Sequence, residues 1–314
     1  MSTMSSSTSQ DGLRFDGRVA IVTGAGGGLG RSHALQLAAR GAKVLVNDLG
    51  SARDGSGGSS AAAEAVVAEI RAAGGVAMAN GCSVTDPAGV QAMVDQVMAE
   101  WGRIDILVNN AGILRDKSFS KMTLDDFRLV VDVHLMGSVY VTKAVWDIMK
   151  AQNYGRIVFT TSSSGLFGNF GQANYGAAKM AVVGLMQTLS LEGEKYNVRV
   201  NCLAPTAATR MTEDLMPPAV LALLTPESVS PGVVFLASED APTRASAQDG
   251  AGGFAASHIT LTEGTVVPEG ADAAEQVAAR FAQIDDRHGE MVPASGAAQS
   301  QSQLAKVMAA RSLG

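Results

Sequence analysis

The amino-acid sequence predicts an α/β fold, a three-layer, doubly wound arrangement with one parallel sheet between two layers of helices. Short apolar segments alternate with segments of helical spacing about six times between residues 18 and 203. Most of the apolar segments are rich in Val and Ile along their whole length, which is typical of strands covered on both faces. Glycines and polar turns separate the segments, so successive parallel strands are expected to be joined by right-handed crossovers.

The first half of the predicted fold starts with an apolar, β-branched run at 18–23 that ends in glycines and indicates a buried strand. Apolar residues then recur at helical spacing over 29–40, and a glycine ends that helix. An apolar strand at 43–48 precedes an Ala-rich helix at 61–73, which two glycines terminate. The same criteria predict strands at 76–80 and 105–109 and a helix at 87–101.

The second half continues the alternation and then loses it. Two long helical stretches are predicted at 124–151 and 173–196, and the strands 156–161 and 198–203 follow in turn. Beyond residue 236 the pattern weakens, and only helices at 271–283 and 301–310 are predicted. We therefore expect a disordered tail at 1–12, one catalytic domain at 13–260 and a partly helical C-terminal extension at 261–314.

Composition narrows the possible functions. The net charge of −6 argues against a nucleic-acid partner, because binding to phosphates requires a basic face. Cys82 and Cys202 lack the spacing of a metal site and are expected to be free thiols in a reducing compartment. The first dozen residues contain no apolar run typical of a secretory signal, and no segment approaches the ~18 uninterrupted apolar residues of a membrane span. A soluble cytoplasmic protein is predicted, with no membrane partner.

A glycine-rich turn follows the first strand. Gly24, Gly28 and Gly30 stand where the strand passes into the helix that starts at Leu29. Without a Cβ atom the chain can turn tightly there, and the free N–H groups of the first helical turn face incoming negative charge. A glycine cluster alone can be a flexible turn, but its position between strand and helix favours a dinucleotide site.

Asp48 ends the second predicted strand, 24 positions after Gly24. A carboxylate at this point accepts hydrogen bonds from an adenosine ribose diol and repels a 2′-phosphate, which predicts NAD rather than NADP as cofactor. The alternative is an ordinary turn aspartate. Arg53 is a possible phosphate ligand nearby, although its neighbour Asp54 is an alternative partner for it. Asn110, Ala111 and Gly112 close the fourth strand, where small residues leave room for the adenosine half of the cofactor.

A candidate catalytic group lies further along the chain. Tyr175 and Lys179 are four positions apart on a predicted helix, and Ser162 follows the fifth strand. The positive charge of Lys179, together with that of oxidised nicotinamide, is expected to lower the pKa of the Tyr175 phenol below the ~10 of a free tyrosine, which suits general acid/base catalysis. Ser162 can hold the substrate oxygen near that phenol. A tyrosine and a lysine at this spacing are also a common surface pair, so the prediction depends on the glycine turn as well.

These motifs resemble the short-chain dehydrogenase/reductase family. The resemblance implies a Rossmann fold and hydride transfer between a substrate carbinol and the nicotinamide, with Lys179 also binding the nicotinamide ribose. The matching residues are Thr23-Gly24-x-x-x-Gly28-x-Gly30, Asn109-Asn110-Ala111-Gly112, Ser162 and Tyr175-x-x-x-Lys179.

Further residues follow from this resemblance. His134 stands where many members have asparagine, whose main-chain carbonyl holds a water linking Lys179 to solvent; the histidine can keep that relay, join it directly or simply pack. Ser83 replaces the aspartate that usually precedes Val84 at the adenine site. The usual Pro-Gly turn after the sixth strand is Pro205-Thr206, and the implied neighbours of the nicotinamide amide are Ala207 and Thr209.

Longer stretches, such as 14–19, 110–116 and 168–175, resemble the (3R)-hydroxyacyl-CoA dehydrogenase group found in peroxisomal multifunctional enzymes of type 2. The implied substrate is a (3R)-3-hydroxyacyl-CoA thioester, including steroid side chains, and some related bacterial enzymes are 17β-hydroxysteroid dehydrogenases. A non-catalytic NAD(H) sensor is the alternative from another class. The apolar segment 215–224 is either a substrate lid or an ordinary amphipathic helix, and Lys117, a candidate for the thioester phosphates, can equally be a solvated charge. We expect a homodimer or homotetramer.

Overall fold

The computed structural model describes residues 12–207 and 217–312. The chain divides into two compact units, Met1–Ala256 and Ser257–Gly314. The domain boundary predicted at residue 260 and the tail predicted at 1–12 stay predictions.

The first unit is built around an eight-stranded sheet with the strand order β3-β2-β1-β4-β5-β6-β7-β8. All pairs from β3 to β7 are parallel. The connection from β7 to β8 has two residues, which makes this last pair a hairpin. The strands are Val19–Thr23, Lys43–Asn47, Val76–Asn80, Ile106–Asn109, Gly155–Thr160, Val198–Thr206, Ser246–Gly250 and Gly253–Ser257.

The helices of the first unit cover both faces of the sheet. They are α1 (Gly28–Ala39), α2 (Ala61–Ala72), α3 (Pro87–Trp101), α4 (Leu124–Val131), α5 (Gly137–Gln152), α6 (Ser163–Phe167), α7 (Ala173–Gly193), α8 (Pro218–Leu221) and α9 (Pro226–Leu236). The second unit contains α10 (Ala273–Ala279), α11 (Phe281–Ile284) and α12 (Gly296–Ser312).

The core has two layers because side chains alternate across each strand. From β1, Ala20 and Val22 point into the layer formed with α1, α2 and α9, whereas Val19 and Ile21 point into the layer formed with α3, α5 and α7. All four side chains are at most 1% exposed, as expected for the centre of a doubly covered parallel sheet. Strand order reverses between β1 and β4, and the C-terminal ends of these two strands therefore border the crevice where such folds bind ligands.

The six predicted strands and five long helical segments are confirmed, with ends that coincide or are displaced by at most three residues. The sequence missed β7 and β8. Strand β7 reads Ser-Ala-Gln-Asp-Gly and has low intrinsic strand preference, so it forms because β6 offers a buried edge for main-chain pairing from Cys202 onward. The helix predicted at 271–283 is divided into α10 and α11.

The helical stretch Leu124–Gln152 was predicted as one helix and is continuous, but it contains a π-helical turn at Asp132–Met136. Within the described residues it is the one helix whose length and composition would allow it to cross a membrane, a test that core helices of soluble proteins also pass. Its residues Val141, Val145 and Met149 belong to the core beneath the sheet. These contacts favour a core helix.

Candidate active site

The glycine turn lies at the C-terminal end of β1 and is too crowded for side chains at two positions. Gly24 has φ +63°, and a Cβ there would lie 2.7 Å from the Cα of Ala111. A Cβ at Gly30 would collide with the carbonyl oxygen of Gly24. By contrast, a Cβ at Gly27 would meet nothing within 4 Å, and Gly27 leaves the start of α1 without a side-chain cap. The turn therefore presents open space and free N–H groups, which fits a bound pyrophosphate.

Asn110 holds this turn in place. Its Nδ2 donates to the carbonyl oxygens of Thr23 and Gly24, both at 3.1 Å. In return, the Thr23 hydroxyl oxygen accepts from the N–H groups of Asn110 at 3.0 Å and Ala111 at 3.1 Å. The ends of β1 and β4 are thus bound to each other, and the role of Asn110 is at least partly to shape the cradle for the cofactor.

Asp48 uses both carboxylate oxygens on main-chain N–H groups. Oδ2 accepts from Gly26 at 2.7 Å, and Oδ1 accepts from Gly50 at 2.6 Å. Each oxygen keeps a second lone pair, and the residue is only partly buried, so its carboxylate can still bind a ribose diol. Arg53 lines the same cavity, while the Asp54 carboxylate accepts from the N–H and hydroxyl of Ser56.

The other predicted cofactor residues line one continuous cavity of about 540 Å³. Ser83 faces it and pairs with the Thr85 hydroxyl at 2.8 Å, and Val84 is 8% exposed. Predicted Thr209 lies outside the described residues. The predicted residues along this cavity are Gly24, Gly28, Leu29, Asp48, Ser83, Val84, Asn110, Ala111, Gly112, His134, Ser162, Tyr175, Lys179, Pro205 and Ala207.

Ser162, Tyr175 and Lys179 converge on this cavity from two elements. Ser162 follows β5, caps α6 and accepts from the N–H of Ser164 at 3.2 Å. Helix α7 carries Tyr175 and Lys179 on one face, and the Lys179 Nζ lies 5.5 Å from the centre of the Tyr175 ring. That ammonium nitrogen also donates to the carbonyl oxygen of Thr160 at 2.6 Å. A proton donor and a hydroxyl therefore face the same space as the glycine turn.

Burial is the main influence on the pKa values of Tyr175 and Lys179. Burial raises the pKa of Tyr175 to about 12, against an opposing hydrogen bond from Ser162. Burial also lowers the pKa of Lys179 to about 7, because the ammonium loses its hydration inside the protein. A lysine with this pKa carries little charge at the pH where the phenol ionises, so Lys179 by itself does little to lower the Tyr175 pKa. The lowering expected from Lys179 and oxidised nicotinamide together stays a prediction.

His134 is buried in the π-helical turn beside the catalytic tyrosine. Its ring and the Tyr175 ring are 5.1 Å apart between centroids, with planes at 87°. The Nε2 atom lies 2.8 Å from the carbonyl oxygen and 3.1 Å from the nitrogen of Ile113, while Nδ1 has no hydrogen-bond partner among the described residues. Burial and then the charge of Lys179 hold the His134 pKa well below its usual value. Its main-chain carbonyl accepts from the Ser138 hydroxyl at 2.7 Å.

Two polar residues at this site were not predicted. Gln172 is 9% exposed, lines the cavity three positions before Tyr175, and donates from Nε2 to the Asp116 carboxylate at 2.7 Å. Asp116 precedes α4 in sequence and carries no catalytic motif of its own. Both residues lie in the stretches 110–116 and 168–175 that carry the resemblance, and this was the signal that could have pointed to them.

The family model described as short chain dehydrogenase matches residues 18–218, more than half of the chain. The chain belongs to the short-chain dehydrogenase family. It is therefore an oxidoreductase that acts on a CH–OH group, in a family that generally binds NAD(P). A short-chain type dehydrogenase/reductase of Mycobacterium tuberculosis is 50% identical over 275 residues, covering 88% of this chain and 96% of that protein.

Two solved structures of known proteins are similar to this short-chain dehydrogenase. Full-length peroxisomal multifunctional enzyme type 2 from Drosophila melanogaster has a TM-score of 0.77 and 39% identity; the match covers 94% of this chain and 50% of that chain. This chain thus corresponds to about half of the multifunctional enzyme. A 7α-hydroxysteroid dehydrogenase complexed with NADH and 7-oxo glycochenodeoxycholic acid has a TM-score of 0.69 and 30% identity, covering 77% of this chain and 96% of that chain.

Proposed function

We propose that the protein interconverts (3R)-3-hydroxyacyl-CoA and 3-oxoacyl-CoA with NAD. The observation that carries the proposal is the convergence of Ser162, Tyr175 and Lys179 on the cavity that the glycine turn borders. The likeness to peroxisomal multifunctional enzyme type 2 supports the acyl-CoA substrate. The match covers 50% of that relative, so the proposal is limited to the dehydrogenase reaction.

Proton transfer at the substrate oxygen is assigned to Tyr175. Its phenol takes the proton of the hydroxyl group during oxidation and returns it during reduction, while the Ser162 hydroxyl holds the substrate oxygen. Lys179 stands within 5.5 Å of the phenol ring and stabilises the phenolate when it carries a proton. A bound nicotinamide supplies the hydride acceptor or donor. The protein's own task is to orient the alcohol and move its proton.

NAD is proposed over NADP because of Asp48. The carboxylate stands at the end of β2, where the adenosine ribose lies in this type of fold, and its charge would repel a 2′-phosphate. Gly26 and Gly50 fix its two oxygens, so the carboxylate cannot easily turn away from that position. Arg53 follows Asp48 closely in the sequence and is a possible ligand for a 2′-phosphate, so the preference for NAD over NADP requires a direct test.

A second candidate is a hydroxysteroid dehydrogenase, including one that acts at the 17β position. The similarity to a solved hydroxysteroid dehydrogenase at 30% identity favours it, and both activities can share one proton-transfer group. The segment expected to cover the substrate is only partly described: Leu224 is buried, Leu223 is exposed, and residues 208–216 lie outside the described residues. Lys117, considered for the thioester phosphates, pairs with Asp126 at 3.3 Å. A non-catalytic sensor would need neither Ser162 nor Tyr175.

A homodimer or homotetramer is proposed through α7. This helix is largely apolar, yet one side of it is exposed, which is unusual for such a helix in a monomer. Most of the exposed residues are apolar or small, namely Ala173, Ala177, Met180, Gly184 and Leu191, and the others are Thr188 and Glu192. A cytoplasmic location is proposed as well, because both cysteines, Cys82 and Cys202, are free thiols.

The test is a substrate panel. Purified protein with NAD⁺ is offered (3R)-3-hydroxyacyl-CoAs of several chain lengths, their (3S) isomers, and 17β- and 7α-hydroxysteroids, and NADH absorbance is followed. The proposal expects the (3R) thioesters to give the highest kcat/KM. Higher values with hydroxysteroids would favour the second candidate, and NADH binding without turnover of any alcohol would favour a sensor.

A further inference from the structure

Three consecutive residues after β4 hold the loop at the start of the catalytic helix. The carbonyl oxygen of Arg115 accepts from the Asn174 side chain at 3.1 Å, and the N–H of Lys117 donates to the carbonyl oxygen of Gly171 at 2.9 Å. Between them, the Asp116 carboxylate accepts from Gln172 at 2.7 Å. Asp116 is thus the only one of the three that contributes its side chain to these contacts.

The carboxylate determines how the Gln172 amide is turned. Because Asp116 can only accept, the group facing it must be the NH₂, and the amide oxygen then faces the opposite way. There it accepts from the Ser164 hydroxyl at 2.7 Å and from the Asn169 side chain at 3.0 Å. With the amide reversed, its oxygen would face the Asp116 carboxylate and that hydrogen bond would be lost, while Ser164 and Asn169 would have to accept from the amide instead of donating to it.

The same chain of hydrogen bonds ends at the catalytic serine. Ser164 donates from its main-chain N–H to the Ser162 hydroxyl oxygen at 3.2 Å, and its own hydroxyl is held by Gln172. The Ser162 side chain also lowers the pKa of the Tyr175 phenol, against the larger effect of burial. The hydrogen bonds therefore run from Asp116 through Gln172 and Ser164 to Ser162, the hydroxyl that acts beside Tyr175.

We propose that Asp116 is a positioning residue for the reaction: it orients the Gln172 amide so that Ser164 and Ser162 present one hydroxyl geometry to the substrate oxygen. This inference rests on the proposed function for the roles of Ser162 and Tyr175. Asp116 acts through its neighbours and does not itself touch the reacting atoms. A displaced serine would leave cofactor binding intact and slow the chemical step.

The charge of Asp116 adds a second, separable effect. It raises the pKa of Tyr175, after burial and against the Ser162 hydrogen bond. The other groups that face the phenol are Lys179 on the same helix and the neutral His134 in the π-helical turn; Cys202 on β6 interacts with Lys179. Of these groups, Asp116 is the one that carries a negative charge at neutral pH, so it favours the protonated phenol.

The experiment compares Asp116→Asn, Asp116→Leu and Asp125→Asn. Asparagine at position 116 keeps an acceptor for Gln172 but loses the negative charge, whereas leucine loses both. Asp125 is the control: its carboxylate is exposed and lies 3.8 Å from the Arg128 guanidinium. Using the best substrate of the panel, we expect kcat to fall about tenfold or more in D116L with KM for NAD⁺ unchanged. At high pH, the kcat of D116N should stay within about twofold of that of the unaltered protein. Its profile of kcat against pH should be shifted to lower pH.

A readout that does not depend on the substrate accompanies the kinetics. With ¹³C-labelled tyrosine, the Tyr175 signal is assigned by its loss in Tyr175→Phe, and its titration is followed by NMR. We expect D116N to titrate at lower pH than the unaltered protein and D125N at the same pH. If D116L melts much earlier than the unaltered protein, Ser164→Ala replaces it, because this variant breaks the chain at its next link and keeps the main-chain contact to Ser162.

The inference would be overturned by a kcat within twofold of the unaltered protein in D116L (or in Ser164→Ala where that replaces it). An unchanged Tyr175 titration in D116N would refute only the separate effect of the Asp116 charge. These outcomes are separate from failure of the proposed function. A protein that turns over none of the offered alcohols would refute the proposed function, while the NMR titration would still report whether Asp116 acts on Tyr175.

Discussion

The rings of His134 and Tyr175 meet in a T-shaped contact, 5.1 Å apart and at 87°. The imidazole is 2% exposed and is held by Ile113, so the tyrosine ring has a fixed, uncharged neighbour. Gly112 makes room for this imidazole, because a Cβ at that position would collide with its Cε1. The position that the family resemblance assigned to a water relay thus also forms part of the wall that orients the catalytic ring.

His134→Ala should destabilise the protein. The variant loses the ring contact and the one hydrogen bond that Nε2 makes with the main chain of Ile113, and each loss costs about 1 kcal/mol or more. Urea unfolding should show a loss of about 2–4 kcal/mol. An unfolding free energy equal to that of the unaltered protein would mean that the imidazole contributes no stability.

Tyr175→Phe should abolish turnover while NADH still binds. The ring, its contact with His134 and the cofactor cradle remain, but the proton donor is gone. We expect kcat to fall by about 10²–10⁴-fold, and NADH fluorescence titration to give a nearly unchanged Kd. Turnover close to that of the unaltered protein would refute the acid/base role.

Lys179 should make stability rise with pH. Its pKa is about 7 in the fold against about 10.5 in the unfolded chain, so the unfolded state binds more protons between these values. The unfolding free energy should increase by up to about 1.4 kcal/mol per pH unit across this window. Urea unfolding at pH 7, 8, 9 and 10 measures it, and Lys179→Met should flatten the slope. An identical slope in both proteins would contradict the buried, weakly basic lysine.

Gly30→Ala should destabilise the turn that Gly27→Ala leaves intact. The new Cβ at residue 30 meets the Gly24 carbonyl and lies 2.6 Å from the Asn110 amide nitrogen, whereas at residue 27 it meets open space. We expect a loss of about 1–3 kcal/mol in the first variant and a near-zero change in the second. Thermal melts of the two proteins make the comparison, and equal melting temperatures would argue against the close approach.

Asp48→Asn should reduce the preference for NAD. The amide keeps one acceptor oxygen for Gly26 or Gly50 but no longer repels a 2′-phosphate. The ratio of kcat/KM for NAD⁺ to that for NADP⁺ is expected to fall about tenfold or more. Asp54→Asn is the matched control, because that carboxylate bonds to Ser56 in the neighbouring loop. A ratio that already favours NADP⁺ in the unaltered protein would rule out the proposed cofactor.

The predicted strands and helices were recovered where periodicity is strong. The strands 19–23 and 43–47 are continuous apolar runs, and α3 was predicted at its observed ends because Pro87 starts it and Gly102 follows it. The hairpin of β7 and β8 was missed, since its residues pair through their main chain with an edge already present. Local patterns do not record such pairing.

The residues of the candidate active site were also predicted in part from the sequence. The spacing of Tyr175 and Lys179, and the glycines at 24 and 28, pointed to residues that the structure brings to one cavity, while Gly30 packs against the Gly24 carbonyl beside it. That burial raises the pKa of Tyr175 and lowers that of Lys179 could not be predicted from the sequence, because burial depends on all surrounding elements. The link from Asp116 to Gln172 joins positions 56 residues apart and had no pattern that could predict it.

By itself the sequence determined the order of strands and helices, the crowded glycine turn and the presence of a tyrosine, a lysine and a serine at the ends of parallel strands. These follow from local spacing, because period and steric size act between near neighbours. Only the tertiary structure decided how deeply the phenol and the ammonium are buried, which ring touches Tyr175 and which carboxylate orients Gln172. Those properties arise where distant segments pack together and exclude water, so they belong to the folded protein.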